Sequence, residues 1–393
     1  MESITKPTVA VLFGSRSVEH EISIITAIQM LSAANDREYN FIPVYLDLNN
    51  RWFCDHSLRD PKIFLKNIPD HFEVNPITKN GKFQLEFLKK RKNRILNIDV
   101  CFFCFHGEFG EDGSVQGLVN LSQVAFTGSG LMSSSICMNK YITKQLLKSE
   151  NIPVVESYYY TREELQDKNT LYELLSSNWS YPLIVKPNHL GSSVGVSKVE
   201  NKEELLNALA LVFLYDYAVL IEPCVTPLME INISILEGGI LSVLEIPITT
   251  EKTLSYQEKY LRGGKQGDKI SNESKEKDNH GMAALNRIID PQDLNIETKE
   301  LVEKYALKAY KLLQAAGVVR IDFLMNKQSG EIFFNEINPM PGSMAYYLWE
   351  KSRPKKSLTQ IIDLMIHAAM ERAANKRCVQ RNFGFLALKN FVG

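Results

Sequence analysis

The segment GVVRIDFLMNKQSGEIFFNEINPMPGS, from Gly317 to Ser343, carries four polar side chains whose spacing could do chemistry. Two apolar runs flank Gln328-Ser329-Gly330, which predicts a hairpin with a three-residue loop and Gly330 in the left-handed position. In that register Asp322 faces Glu336 and Arg320 faces Asn338. Side chains alternate along a strand, so these four share one face. Val319, Ile321, Phe323, Phe333 and Ile337 take the other face, with Asn335 as the only polar exception. Two carboxylates directly opposed across a ladder repel and weaken the hairpin. A hard divalent cation removes that cost, and Asp, Glu and Asn oxygens are the ligands Mg²⁺ prefers. The plain alternative is an amphipathic hairpin with a solvated polar face. The rigid turn Asn338-Pro-Met-Pro-Gly342-Ser343 beside the four groups favours the metal reading.

Two further stretches look chemical. Tyr181–Pro187 reads as an apolar strand ending on Lys186, followed by Gly191-Ser192-Ser193-Val194-Gly195-Val196. A lysine at the end of a buried strand is costly unless it meets an anion. The loop beside it can present backbone amides and two hydroxyls to phosphates. It is not a Walker loop, because GxxxxGK[ST] is absent. The glycine-rich run His106–Gly113 follows another apolar strand at its carboxyl end, where open α/β sheets place ligands. His106 also suits a satisfied histidine in a tight loop.

The elements that must position these groups change character along the chain. Residues 8–13, Phe41–Leu48 and Val100–Phe105 are short apolar runs of buried-strand type, and Gly14 leads from the first into a helix reaching about Leu31. That is the opening of a parallel α/β unit. Residues 50–96 are polar and take no clear assignment. Gln116–Leu121 is helical, Thr127-Gly-Ser-Gly130 reads as a linker, and Ser133–Ser149 is a helix carrying Lys140 and Lys144. Glu203–Leu214 is an amphipathic helix, and Ala218–Cys224 is a strand bearing Glu222. Glu230–Ile235 and Ile240–Ile248 alternate, which predicts an antiparallel sheet with polar residues outward. Residues 252–281, with the charge run Glu273–Asp278, read as a solvated loop or a lid over an active site. Thr298–Ala316 and Ser357–Ala374 are helices, and the tail after Arg377 is unassigned.

A chain of 393 residues is too long for one ordinary core. Its 45% hydrophobic and 23% charged residues are normal for a globular protein, and a net charge of −1 gives no sign of a nucleic-acid or membrane-surface partner. Phosphate binding must therefore come from local lysines and amides. Cys101 and Cys104 form the only CxxC among six cysteines, inside an apolar strand where they point to opposite faces, so they read as buried hydrophobes. With no signal peptide and no long apolar span, a cytoplasmic location is expected. No GxGxxG follows the first strand, which argues against a dinucleotide-dependent oxidoreductase.

In order along the chain, VAVLFGSRSVEHEIS, HGEFGEDGSVQG, TGSG with MNK, IVKPNHLGSSVGVSKV, YQEKY, VVRIDF and NEIN with PG resemble the D-alanine–D-alanine ligases of the ATP-grasp superfamily. The resemblance spans about residues 8–370. It implies an α/β and α+β fold, with a Rossmann-like N-terminal domain (1–128) followed by a two-part ATP-grasp fold. The latter comprises a small central domain (129–222) and a C-terminal domain (223–393) with a mobile loop at about 252–281. It implies ATP-dependent joining of two D-alanines through an acyl phosphate for peptidoglycan precursors, with two Mg²⁺ ions, or Mn²⁺ in their place. A homodimer is implied as well.

Carried over by position, Lys140 and Lys186 match phosphate-holding lysines, and Ser192 and Ser193 lie in the loop over the phosphates. Glu222 and Glu230 match acids on the adenine and ribose side, and Lys259 and Tyr260 match the mobile loop's pair. Glu19 matches the acid on the first substrate's ammonium, in a triad with Ser192 and Tyr260, and His106 a histidine near that substrate. Asp322, Glu336 and Asn338 match the metal ligands. Arg320 and the Gly342 amide match oxyanion-stabilising groups, and Ser343 and Met344 the acceptor-binding pair.

Three features depart from the family. Ser15 replaces a glycine, the segment after Tyr260 is longer, and Pro341-Gly342 runs into Ser343 through a shortened loop. The last motivates an alternative, a related amino-acid ligase with a different acceptor. A catalytically silent nucleotide-binding protein is disfavoured by the complete set of metal ligands and phosphate lysines.

Overall fold

Continuous apolar runs near the N-terminus become the centre of the first sheet. In the computed structural model, which describes residues 6–89, 94–177, 179–248, 287–380 and 384–392, β1 (Thr8–Gly14) is buried on both faces. Val9, Val11 and Phe13 join one core cluster, while Ala10 and Leu12 join another. After β1 come α1 (His20–Ser32), β2 (Asn40–Leu46), β3 (Trp52–Cys54), β4 (Glu73–Lys79), β5 (Lys82–Phe87), β6 (Ile95–Ile98) and β7 (Val100–Phe103). α2 (Ser114–Asn120) and β8 (Ala125–Phe126) complete the unit. The strand order is β6-β5-β4-β3-β2-β1-β7-β8. β1 lies parallel to β2 and β7, as expected of a buried α/β centre.

The unassigned stretch 50–96 supplies four antiparallel strands that extend this sheet. Their half-buried residues, such as the alternating pattern of β5, carry too little apolar character to stand out from a loop.

Next come α3 (Leu131–Met138), α4 (Lys140–Ser149), β9 (Tyr158–Thr161), α5 (Lys168–Ser176), β10 (Leu183–Pro187), β11 (Ser197–Val199), α6 (Lys202–Val212) and β12 (Ala218–Pro223). The helix expected over 133–149 is thus two helices. Asn139 breaks them and caps the second, its Oδ1 accepting from the Ile142 N–H at 2.9 Å. Strands β11-β10-β12-β9 form a second, antiparallel sheet.

The third sheet, β15-β14-β13-β16-β17, is antiparallel throughout. It uses β13 (Leu228–Leu236), β14 (Ile240–Pro247), β15 (Arg287–Ile289), β16 (Val319–Asn326) and β17 (Ile332–Asn338). α7 (Ile296–Leu312) covers it with Val302, Ala306 and Ala309. Residues 249–286 lie outside the described residues, and with them the expected lid and its Lys259 and Tyr260. α8 (Leu358–Arg377) returns to the first unit, where Ile362, Met365 and Ile366 share a cluster with Val9 and Phe13.

The hairpin differs from expectation in two ways that cancel. Asn326 and Glu331 close a four-residue loop, with Gly330 at φ +75°. The pairing then shifts between Asp322 and Phe323, leaving Asn335 as a bulge. Asp322 therefore still pairs with Glu336, and Arg320 with Asn338. Beyond the bulge the faces swap. Phe334, not Phe333, is in the core, its ring edge-on to Phe323 at a centroid distance of 6.0 Å. Phe334→Ala should lower unfolding stability by about 3–5 kcal/mol and Phe333→Ala by much less. Denaturant unfolding of the two variants checks this, and equal losses would contradict the bulged register.

Candidate active site

The carboxyl end of β10 carries Lys186, and its neighbour β12 carries Glu222. Lys186 Nζ lies 2.8 Å from Glu222 Oε2 and 3.2 Å from Asn335 Oδ1. Lys144, one turn beyond Lys140 on α4, also donates to Glu222, and Ser157 Oγ donates to it at 2.7 Å. Burial alone would raise the Glu222 pKa, but the two ammonium groups outweigh it and hold the carboxyl at about 2. Burial pushes Lys144 down to about 8, against the pull of Glu222. Glu222 lines the cavity between the second and third sheets beside Pro223, Cys224 and Val225, but its carboxylate is committed to lysines. Lys144 was visible as a residue on the helix, yet sequence offered no sign that it reaches the same acid. Asn335, the polar exception on the hairpin's apolar face, owes its place against Lys186 to the bulge.

The loop after β10 closes over Glu19. Ser192 Oγ donates to Glu19 Oε1, joining segments 173 residues apart. A Cβ on Gly191 would stand 3.0 Å from Glu19 Oε2, a tight approach that Glu19 would have to yield to accommodate. Ser192 (φ 52°) and Ser193 (φ 59°) are both left-handed. Ser192 lines a cavity with Glu19, and Ser193 lines the adjoining one with Lys186.

On the hairpin, Arg320 makes a two-pronged pair with Asp322, Nε to Oδ1 and Nη2 to Oδ2, both at 2.7 Å. Burial would lower the Arg320 pKa, but Asp322 outweighs it and holds the guanidinium firmly charged. Lys140 Nζ lies 3.3 Å from Glu336 Oε2, and Asn338 Nδ2 donates to Asp322 at 3.3 Å. Across β13, Asn232 pairs in register with Asp322, and its buried Oδ1 has no hydrogen-bond partner among the described residues. Asn232 belongs to the polar face that alternation directed to solvent, whereas here that face turns inward onto the cavity.

No cluster of three or more His, Cys, Asp or Glu side chains suited to a metal occurs among the described residues. The site instead offers two carboxylates and amide oxygens, with one amide oxygen unpaired. That set fits Mg²⁺, which binds through one or two carboxylates and completes its shell with substrate phosphates and water.

His106 lines the first cavity but is almost fully buried, with Nε2 2.8 Å from Thr26 Oγ1. Burial pushes its pKa down to about 4; a hydrogen bond to the Met340 backbone opposes the shift and Arg320 adds to it. Glu111 accepts from the N–H groups of Gly107 (2.7 Å) and Met340 (3.1 Å), tying the glycine-rich loop to the Pro339–Pro341 turn. Burial and then Glu19 raise its pKa well above the ordinary range.

Ser343 and Met344 depart from expectation. Neither lines the first cavity. Ser343 Oγ donates to Gln29, its N–H donates to Thr26, and Met344 is packed in the core around β1. Ser343, Met344 and Ala345 take three consecutive left-handed conformations, and Tyr347 lines the cavity in their place. There Arg287 lies 4.2 Å from the Tyr347 ring centroid and 3.3 Å from Glu245. Sequence gave no pattern linking these three.

The two cavities meet at Lys140, Leu190, Glu230, Asn232, Asp322 and Glu336, which line both. Glu19, His106, Ser192, Arg320, Asn338 and Gly342 line only the first, and Lys186, Ser193 and Glu222 only the second.

Two family descriptions match the chain, "D-ala D-ala ligase N-terminus" over residues 8–129 and "D-ala D-ala ligase C-terminus" over residues 146–367. A D-alanine–D-alanine ligase of Thermosipho melanesiensis is 36% identical over 392 residues, covering 97% of this chain and 98% of its own. The enzyme of that name from Thermosipho africanus is 37% identical over 377 residues, covering 94% and 95%. The solved D-alanine–D-alanine ligase of Coxiella burnetii superposes with a TM-score of 0.74 at 25% identity, covering 95% of this chain and 96% of that one.

The depressed pKa of His106 has a consequence for stability. Between pH 6.5 and about 4 the unfolded chain binds a proton at His106 that the folded chain does not, so folding stability falls as pH drops through that window. The loss should approach about 3 kcal/mol. His106→Gln should remove this dependence, whatever its effect at neutral pH. Urea unfolding at several pH values tests it, and an unchanged acid slope in the variant would refute the assignment.

Proposed function

Since the chain belongs to the D-alanine–D-alanine ligase family, we propose that it is an ATP-dependent enzyme joining two D-alanines through an acyl phosphate. The products are D-alanyl-D-alanine, ADP and phosphate, used for peptidoglycan precursors. The observation that carries this reading is the junction of two cavities at Lys140, Asp322 and Glu336. One cavity, edged by Lys186 and Ser193 and by apolar residues such as Ile184 and Leu324, suits a nucleotide with its phosphates towards that junction. The other, edged by Glu19, His106 and Arg320, suits amino acids. No helix among the described residues is long and apolar enough to cross a membrane. The three sheets support domains divided near residues 128 and 222, and the family resemblance supports a cytoplasmic homodimer.

In this scheme Lys140 and Lys186 hold the phosphates, and Ser193 closes over them. Glu222 pairs with Lys186 and Lys144 in a dry wall, with Glu230 at the nucleotide's sugar side. Glu19, fixed by Ser192, accepts from the ammonium of the first D-alanine. Its carboxylate attacks the γ-phosphate, and the charge that develops meets Arg320, the Gly342 N–H and Lys140, groups positioned before the reaction starts. His106 stays neutral and holds the Met340 turn against α1. The amine of the second D-alanine then attacks the acyl phosphate, and phosphate leaves. Asp322, Glu336 and Asn338 would hold Mg²⁺, which screens the phosphate charge when bound. By the family resemblance, Lys259 and Tyr260, outside the described residues, would help exclude water from the acyl phosphate.

The cavity wall formed by Arg287, Glu245 and Tyr347, in place of Ser343 and Met344, favours a second reading in which the acceptor is another amino acid. ADP release measured with ATP, Mg²⁺ and a panel of amino-acid pairs separates the two. D-alanine alone should support turnover, and its failure to do so would overturn the first reading. Glu336→Gln should lower kcat by at least about a hundredfold with circular dichroism unchanged. Near-normal turnover would refute the metal-holding role.

A further inference from the structure

His189 opens the phosphate loop, and nothing above uses it. Its imidazole stands where three segments meet. Nδ1 lies 3.0 Å from Asp216 Oδ1, and the His189 N–H donates to Asp216 Oδ2 at 2.7 Å. Asp216 also accepts from the Ala218 N–H at the start of β12, so its carboxylate acts only as an acceptor. Nε2 lies 2.8 Å from Asn188 Nδ2, 3.2 Å from Asn139 Nδ2 and 3.3 Å from the Tyr217 hydroxyl.

The orientation of both amides is fixed by α4. Asn139 Oδ1 accepts from the Ile142 N–H, and Asn188 Oδ1 accepts from the Tyr141 N–H at 2.9 Å. Each amide therefore turns its NH₂ towards Nε2. Asp216 thus offers an acceptor to Nδ1 while the two amides offer donors to Nε2, so each ring nitrogen meets a group of complementary kind. The Asn188 carbonyl also accepts from the Lys140 N–H, and Lys140 Nζ donates to the Leu190 carbonyl.

We propose that His189 is a positioning residue whose ring, held between Asp216 and the amides of Asn139 and Asn188, locks the N-terminus of α4 and its Lys140 to the phosphate loop. The Tyr217 ring stacks on the imidazole at 4.8 Å and keeps it in this plane.

This rests on the nucleotide reading of the second cavity. The test is equilibrium ATP binding with Mg²⁺ and no amino acid for the wild type, His189→Ala and His189→Gln. His189→Ala should weaken binding about fivefold, the order of one lost hydrogen bond, with the KM for D-alanine unchanged. His189→Gln, which can donate to Asp216 or accept from the amides, should recover most of the affinity. Unaltered ATP affinity in His189→Ala, or no recovery in His189→Gln, overturns the proposal. A wild type that binds no nucleotide overturns the reading of the cavity itself.

Discussion

Asp322 and Glu336 face one another across the β16–β17 ladder, and the rest of the site is arranged around that unfavourable pairing. Two like charges about 5 Å apart repel by roughly 3 kcal/mol at an effective dielectric constant near 20. The fold offsets this with a cation on each carboxylate, Arg320 on Asp322 and Lys140 on Glu336. Neither cation comes from an arbitrary place. Arg320 is two residues earlier on the same strand face, and Lys140 is the first residue of α4, held there by Asn139 and Asn188. The two pairings thus keep two positive groups against the wall of the first cavity.

A second buried grouping follows a different rule. Lys144, Glu222 and Lys186 put two ammonium groups and one carboxylate into a nearly dry wall. Glu222 pairs with both buried lysines, and Lys186 also lines the cavity. The first unit supplies no such charge. It contributes Glu19 at the start of α1, the His106 turn and, through α8, a core that anchors the end of the chain against it.

How much of this could be read from sequence depended on whether the signal was local. The pairing of Asp322 with Glu336 was legible because strand alternation and a nearby turn fix register over short distances. It survived a wrong loop length only because the bulge at Asn335 restored the offset, and Phe333 and Phe334 exchanged roles as a result. The Lys186 strand and its glycine-serine loop were equally local. Strands β3 to β6 were not legible, since half-buried antiparallel strands with charged outer faces look like loops one at a time. The break at Asn139 was missed because its capping role depends on the segments it meets. Ser343 and Met344 were placed by analogy across a shortened loop. Their side chains went elsewhere because three left-handed residues in a row leave the turn no freedom to point them into the cavity. The triple contact of Lys144, Glu222 and Lys186 spans separate segments and has no sequence periodicity.

Ser192 and Ser193 sit side by side on one left-handed segment, yet one lines the first cavity and the other the second. At this point the boundary between the cavities is held in a backbone conformation that non-glycine residues adopt at a cost. A displacement of either serine is transmitted to its neighbour without any intervening network. Under the proposed function, a ligand in one cavity that alters the other's affinity through this segment has its own affinity altered by the same factor.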